Sequence, residues 1–92
     1  MLMPLGLPCT LDTQREGVSF MMKNGLLEVS VLVSRHALEE IDRREHGNAY
    51  IERFNEYRRQ FEEIANEKYA KGFVEQDGTV CIRSRDLPGH GH

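Results

Sequence analysis

The stretch Val18-Ser19-Phe20-Met21-Met22-Lys23-Asn24-Gly25-Leu26-Leu27-Glu28-Val29-Ser30-Val31-Leu32-Val33 decides the fold. Two runs rich in β-branched and aromatic residues flank an Asn-Gly dipeptide, a strong hairpin signal because a two-residue type I′ turn needs positive φ at both central positions. A loop at Asn24-Gly25 pairs Met22 with Leu27, Phe20 with Val29 and Val18 with Val31. All six are apolar and share one face. The other face pairs Met21 with Glu28 and Ser19 with Ser30, a mixed surface. Turn chemistry and binary pattern agree, so the expectation is an antiparallel pair with one core face.

Downstream, Ser34 is an N-cap for a first helix, with Val33 and Leu38 placed as a hydrophobic staple. Ala37, Leu38 and Ile41 share its inner face. It is expected to end at Gly47, and Asn48 to cap a second, longer helix that Gly72 ends. There Tyr50, Phe54, Tyr57, Phe61 and Ile64 repeat at a 4-3-4-3 spacing, one apolar stripe over four turns. Phe73-Val74-Glu75-Gln76, Asp77-Gly78 and Thr79-Val80-Cys81-Ile82 then read as a second hairpin, with Phe73 beside Ile82 and Val74 facing Cys81.

Upstream, residues 1–16 read as an N-terminal arm able to add a short edge strand. Residues 17–83 form a single α+β domain, and 84–92, ending His90-Gly91-His92, a flexible tail. The predicted order is β-β-α-α-β-β: a mainly antiparallel sheet of about four strands with two helices packed on one face. At 92 residues there is room for one hydrophobic core.

Net charge is −3. Residues 1–46 hold 5 basic and 7 acidic side chains and residues 47–92 hold 7 and 8, so neither half is a basic arm. Arg43, Arg44, Arg53, Arg58, Arg59, Lys68, Lys71, Arg83 and Arg85 are interleaved with acids. Pairs such as Glu39 with Arg43, Glu40 with Arg44, Arg58 with Glu62, Arg59 with Glu63 and Glu67 with Lys71 describe a solvated helix surface. A phosphate-tracking surface needs unneutralised positive charge, and the aromatic residues lie on the core stripe, so nucleic-acid binding is disfavoured.

Cys9 and Cys81 form no C-x-x-C and imply reduced thiols. His36 and His46 stand ten residues apart, without the i, i+4 spacing of a helical metal site, and His90 with His92 is only a loose pair. Cys81 has no histidine near it in sequence to act as a base. Glycines sit at turns and helix ends, in neither a G-x-G-x-x-G nor a P-loop pattern. The first nine residues lack the charged start and apolar run of an export signal, and no stretch approaches the length of a membrane span. The residues therefore assign no catalytic, cofactor-binding or metal-binding position, and no cofactor.

The run Arg15-Glu16-Gly17-Val18-Ser19-Phe20, the segment Val31-Leu32-Val33-Ser34-Arg35-His36-Ala37-Leu38, and Phe54, Arg58, Ile64-Ala65, Gly72 and Asp77-Gly78 together resemble a small bacterial family, domain of unknown function 1488. The resemblance covers roughly residues 8–87. It implies a stand-alone cytoplasmic bacterial protein of α+β fold and supplies no catalytic residue.

By elimination, the leading functional expectation is a non-enzymatic protein-interaction or regulatory module. Its partner would be an unknown protein or a second copy in a homodimer, with no membrane. The alternative is a small ligand-binding domain or enzyme with a pocket between sheet and helices, and the third reading is nucleic-acid binding. A cavity gathering Cys81 or a histidine with an arginine would favour the alternative. The outer sheet face, with Met21, Leu26, Leu32, Val74 and Cys81, is expected to be covered by the arm through Leu5, Leu7 and Leu11 or by a second molecule.

Overall fold

The computed structural model describes residues 1–41 and 50–88. Strands β1 (Met3–Pro4), β2 (Thr10–Asp12), β3 (Gly17–Asn24) and β4 (Leu27–Ser34) are followed by helices α1 (Arg35–Ile41), α2 (Tyr50–Glu56) and α3 (Arg58–Ala70), and by strand β5 (Val80–Ile82). The result is an α+β fold with a mostly antiparallel five-stranded sheet. The expected end of the first helix at Gly47 and the Asn48 cap lie outside the described residues.

β3 is the hub of the sheet. Along one side it pairs with β4 from Gly17–Ser34 to Asn24–Leu27. Along the other it takes β1 at Met22 and Lys23 and β2 at Gly17–Ser19, both antiparallel, so the arm forms a divided edge strand. The arm therefore lies beside β3, and Leu7 and Leu11 remain exposed instead of roofing the outer face.

The hairpin turn lies one residue later than expected. Asn24 pairs with Leu27, so the two turn residues are Gly25, at φ +62°, and Leu26. A Gly-X turn of the II′ kind asks positive φ only of its first residue, which glycine supplies. Asn24 is thereby kept as a strand residue, and its amide Nδ2 donates to Tyr69 Oη at 3.0 Å. The pairs become Met22–Val29, Phe20–Val31 and Val18–Val33. Each residue moves past its partner by two positions, an even slip that leaves the faces unchanged. Val33 thus takes the core place expected of Leu27, which is exposed.

Two further corrections concern the second half. The long second helix is two: Tyr57, at φ −112° and ψ 16°, leaves the helical path, and its N–H donates to Phe54 O at 3.1 Å, a tightened i−3 bond. Neither proline nor glycine marks the place, so the apolar period runs through it undisturbed. The C-terminal hairpin is replaced by the single strand β5, which runs parallel to β4 through Val31–Val80, Leu32–Cys81 and Val33–Ile82. Residues 73–76 are not a strand. Phe73 N–H closes the end of α3 on Lys68 O at 2.9 Å, with Gly72 N–H on Tyr69 O at 3.1 Å, a Schellman arrangement. Phe73 is consequently exposed and not beside Ile82, while Val74 packs on the core and not against Cys81.

α1 starts as expected: Ser34 Oγ accepts the Ala37 N–H at 3.1 Å. Val18, Phe20 and Met22 from β3, Val29, Val31 and Val33 from β4, and Val80 and Ile82 from β5 form one core with Ala37, Leu38, Phe54, Phe61 and Ala65. Tyr50, Tyr57 and Ile64 complete the stripe, half-buried. Leu2 and Leu87, from near the two ends of the described chain, are buried in the same core. In the segment expected to be tail, Ser84–Asp86 forms a 3-10 turn. Asp86 Oδ2 accepts from Lys68 Nζ and from the Arg83 N–H, both at 2.8 Å. Burial would raise the Asp86 pKa, but these bonds and the charges of Lys68 and Arg85 outweigh it and hold the carboxyl below its ordinary range.

Gly17 lies close against the β4 backbone: a β-carbon there would run into the Val33 carbonyl oxygen. Gly17→Ala is expected to cost about 1–3 kcal/mol through overpacking against rigid backbone, measured as a lower midpoint in urea unfolding. Phe20→Ala should cost about 3–5 kcal/mol because the site is fully buried. Leu27→Ala should stay within about 0.5 kcal/mol, as an exposed position does. A large loss at Leu27 in the same unfolding series would restore the turn at Asn24-Gly25.

Candidate functional site

Strand alternation sends Val18, Phe20 and Met22 inward, and hence Ser19, Met21 and Lys23 outward. On β4 the outward residues are Glu28, Ser30 and Leu32, and on β5 Cys81. The buried set joins one face of the sheet to the helices. On the opposite face Ser19, Met21, Ser30 and Cys81 are only half-buried, so no helix covers them.

One end of this outer face is an open groove of about 740 Å³. Leu32 and Cys81, register neighbours across the β4–β5 pair, are its floor. Arg15 comes from the turn between β2 and β3, where Asp12 accepts the Arg15 backbone N–H at 3.0 Å and its Nε at 2.9 Å. Glu75, Asp77 and Thr79 come from the loop before β5, closed by Glu75 N–H to Thr79 O at 2.9 Å and by Thr79 N–H to Asp77 Oδ1 at 3.0 Å. Arg83 follows β5. The two arginines meet carboxylates at the edge of ion-pair distance: Arg15 to Asp77 at 4.0 Å and Arg83 to Glu75 at 3.9 Å.

This groove does gather Cys81 with arginines, the feature named above as favouring a ligand site. Its electrostatics point elsewhere. Asp77 and Glu75 match the two guanidinium groups one for one, and Asp12 pairs with Arg15 as well, so the groove has no surplus positive charge for an anion. Asp12 is held below the usual carboxylate range, first by the Arg15 backbone N–H and then by its side chain, and Asp77 by the Thr79 N–H, so both stay ionised. Burial, with Glu75 nearby, pushes the Cys81 thiol up, opposite to the shift that activates a nucleophile. Cys9, beside β2, is likewise raised by burial.

The remaining sequence candidates are dispersed. His36 is exposed on α1, and His46, His90 and His92 lie outside the described residues. Among the described residues, no three His, Cys, Asp or Glu side chains converge as metal ligands. The helix pairs form as expected, Arg58 with Glu62 at 3.1 Å, Arg59 with Glu63 at 3.7 Å and Lys71 with Glu67 at 3.2 Å. The Glu39–Arg43 and Glu40–Arg44 pairs reach beyond the described residues. The space between sheet and helices, where a pocket was the alternative expectation, is occupied by Phe20, Phe54 and Phe61. Arg15 entered the sequence reading only in the run that carries the family resemblance, not as a site residue. The Asp12-to-Arg15 spacing, a turn closed by its own side chain, was the available signal.

No curated protein matches the sequence. A crystal structure of a protein of unknown function from the DUF1488 family, from Shewanella loihica PV-4, superposes with a TM-score of 0.79 at 16% identity, covering 88% of this chain and 90% of that one. At that identity the likeness establishes the fold. Residues 8–82 match the family described as "Protein of unknown function (DUF1488)", a span that holds β2, the hairpin, α1 to α3 and β5, and the chain belongs to that family.

Proposed function

We propose that this chain is a non-enzymatic interaction module that meets another protein, or a second copy of itself, through the outer face of its sheet. The observation that carries the reading is the asymmetry of the sheet. The described helices pack on one face, while the other presents Met21 and Cys81, half-buried, among serines and beside a buried Leu32, with ion pairs at the rim. An apolar centre with a polar rim is how protein interfaces are built. Net charge of −3 and arginines matched to acids argue against nucleic acid. Among the described residues, no helix is long and apolar enough to cross a membrane. A bacterial cytosol is the setting we assign, in keeping with the two free thiols and the bacterial origin of the structural relative.

Ser19 lies on the outer face of β3, half-buried, and Arg59 on α3 is almost fully exposed. Ser19→Arg should leave the thermal transition within a few degrees and reduce cross-linked complexes recovered from the native cell at least tenfold. Arg59→Glu should leave those complexes intact. The reverse pattern would move the interface to the helices and end this reading.

A second reading, a small-ligand or catalytic groove at Cys81, draws support from its position between Arg15 and Arg83. Its catalytic form demands an activated thiol. With the thiol pKa raised, Cys81 alkylation by iodoacetamide should be slow at pH 7 and keep rising with pH beyond 9, about tenfold per unit while the thiol form dominates. Measured in a Cys9→Ser background, a rate that levels off near neutral pH would favour the groove over the interface.

A further inference from the structure

β4 is eight residues long, but β5 pairs with only Val31–Val33, so Leu27–Ser30 have no strand neighbour on that side. Four residues of unpaired edge, about 13 Å, run beside a groove of about 640 Å³ between β4 and the loop that precedes β5. Leu27, Val29, Val74 and Tyr69 give this groove an apolar wall. Glu28 and Asp77 are the charged groups on it, and no basic side chain lines it.

We propose that this edge takes an extended segment of a partner protein as an added β-strand, in antiparallel or parallel register with Leu27–Ser30. An unpaired edge offers main-chain donors and acceptors to an incoming strand, and alternate side-chain pockets supply selectivity. One face of the added strand meets Leu27, Val29 and Val74, and the other meets Glu28 and Asp77. The matching segment alternates apolar with basic residues. An acidic edge suits it better than a second copy's β4, which would bring the partner's Glu28 against this one. The inference shares with the proposed function that the partner is a protein; its groove reaches the outer face at Met21, Glu28 and Ser30, but it centres on the edge of β4 and not on Ser19, Leu32 and Cys81.

The probe is a capped synthetic heptapeptide alternating valine and lysine, titrated to millimolar concentration and followed by amide NMR. Binding should shift the Leu27–Ser30 and Val74–Thr79 resonances and slow amide exchange within Leu27–Ser30 at least fivefold. Glu28→Lys should weaken it at least tenfold, whereas Ser19→Arg should not. The same peptide with alternate amides N-methylated should not bind, since it cannot complete a strand ladder. Three results would overturn the proposal: no response at millimolar peptide; shifts centred on Ser19, Leu32 and Cys81, which would leave the outer-face reading standing; or a dimer by light scattering with Leu27–Ser30 protected before peptide is added. Loss of cellular complexes in Ser19→Arg together with unchanged peptide binding separates the two surfaces.

Discussion

Phe20 lies with its ring 4.8 Å from that of Phe54, and Phe54 stacks on Phe61 at 5.6 Å, so three rings in a row tie the central strand to both α2 and α3. The row is fully buried, and rings at these spacings add attraction beyond the area they hide. Arg58 closes its end: the guanidinium lies 5.5 Å from the Phe20 centroid and 5.6 Å from that of Phe54, with Nε donating to Glu62 at 3.1 Å. One Arg58 nitrogen is buried without a hydrogen-bond acceptor, a cost that the two ring faces partly offset. Because the row needs strand and helices at fixed separation, it fixes which face of the sheet is inner. The outer face is what remains.

That dependence explains why so much was legible in residues 17–41. Alternation in the hairpin and the 4-3-4-3 stripe each declare a face, and two declared faces have one economical way to meet. The misplaced turn did no damage, because moving a two-residue loop by one position slides the strands by two and preserves parity. What the sequence concealed lies where local signals fit two geometries. Asp77-Gly78 did form a tight loop, with Gly78 N–H on Glu75 O at 2.9 Å, but a tight loop does not oblige both flanks to be strands. Phe73 closes α3 and Val74 packs on the core, and neither lies in a strand. Likewise Tyr57 interrupts the helix by backbone conformation alone, leaving hydrophobic period untouched.

The candidate surfaces were less legible still, for the reason that they are assembled across the chain. Cys81 was visible as a thiol in a strand, but its neighbour Leu32 and its rim of Arg15, Asp77 and Glu75 follow from the parallel pairing of β4 with β5. Periodicity carries no information about such pairing. The same holds for the arm. Its leucines suggested a cover for the outer face, whereas β1 and β2 satisfy the main-chain edge of β3 and leave Leu7 and Leu11 in solvent.

The free half of β4 is a consequence of how the chain returns from its helices. A strand that comes back parallel must first cross from the end of α3, and here Gly72 to Thr79 is used on capping the helix and on the loop closed by Asp77. Three residues are then left to pair before Leu87 must reach the core. On the other side of the sheet the same need is met twice over, by β1 and by β2. The two edges are therefore unequal by construction: β3 is protected along its ends by the arm, and β4 is protected only where the groove at Cys81 lies. Proteins commonly blunt such an edge with charge, and Glu28, opposite Lys23 in the register, is the single charged residue on the unpaired stretch. One carboxylate repels another acidic strand but attracts a basic one, so the same residue that guards the edge also selects what can join it.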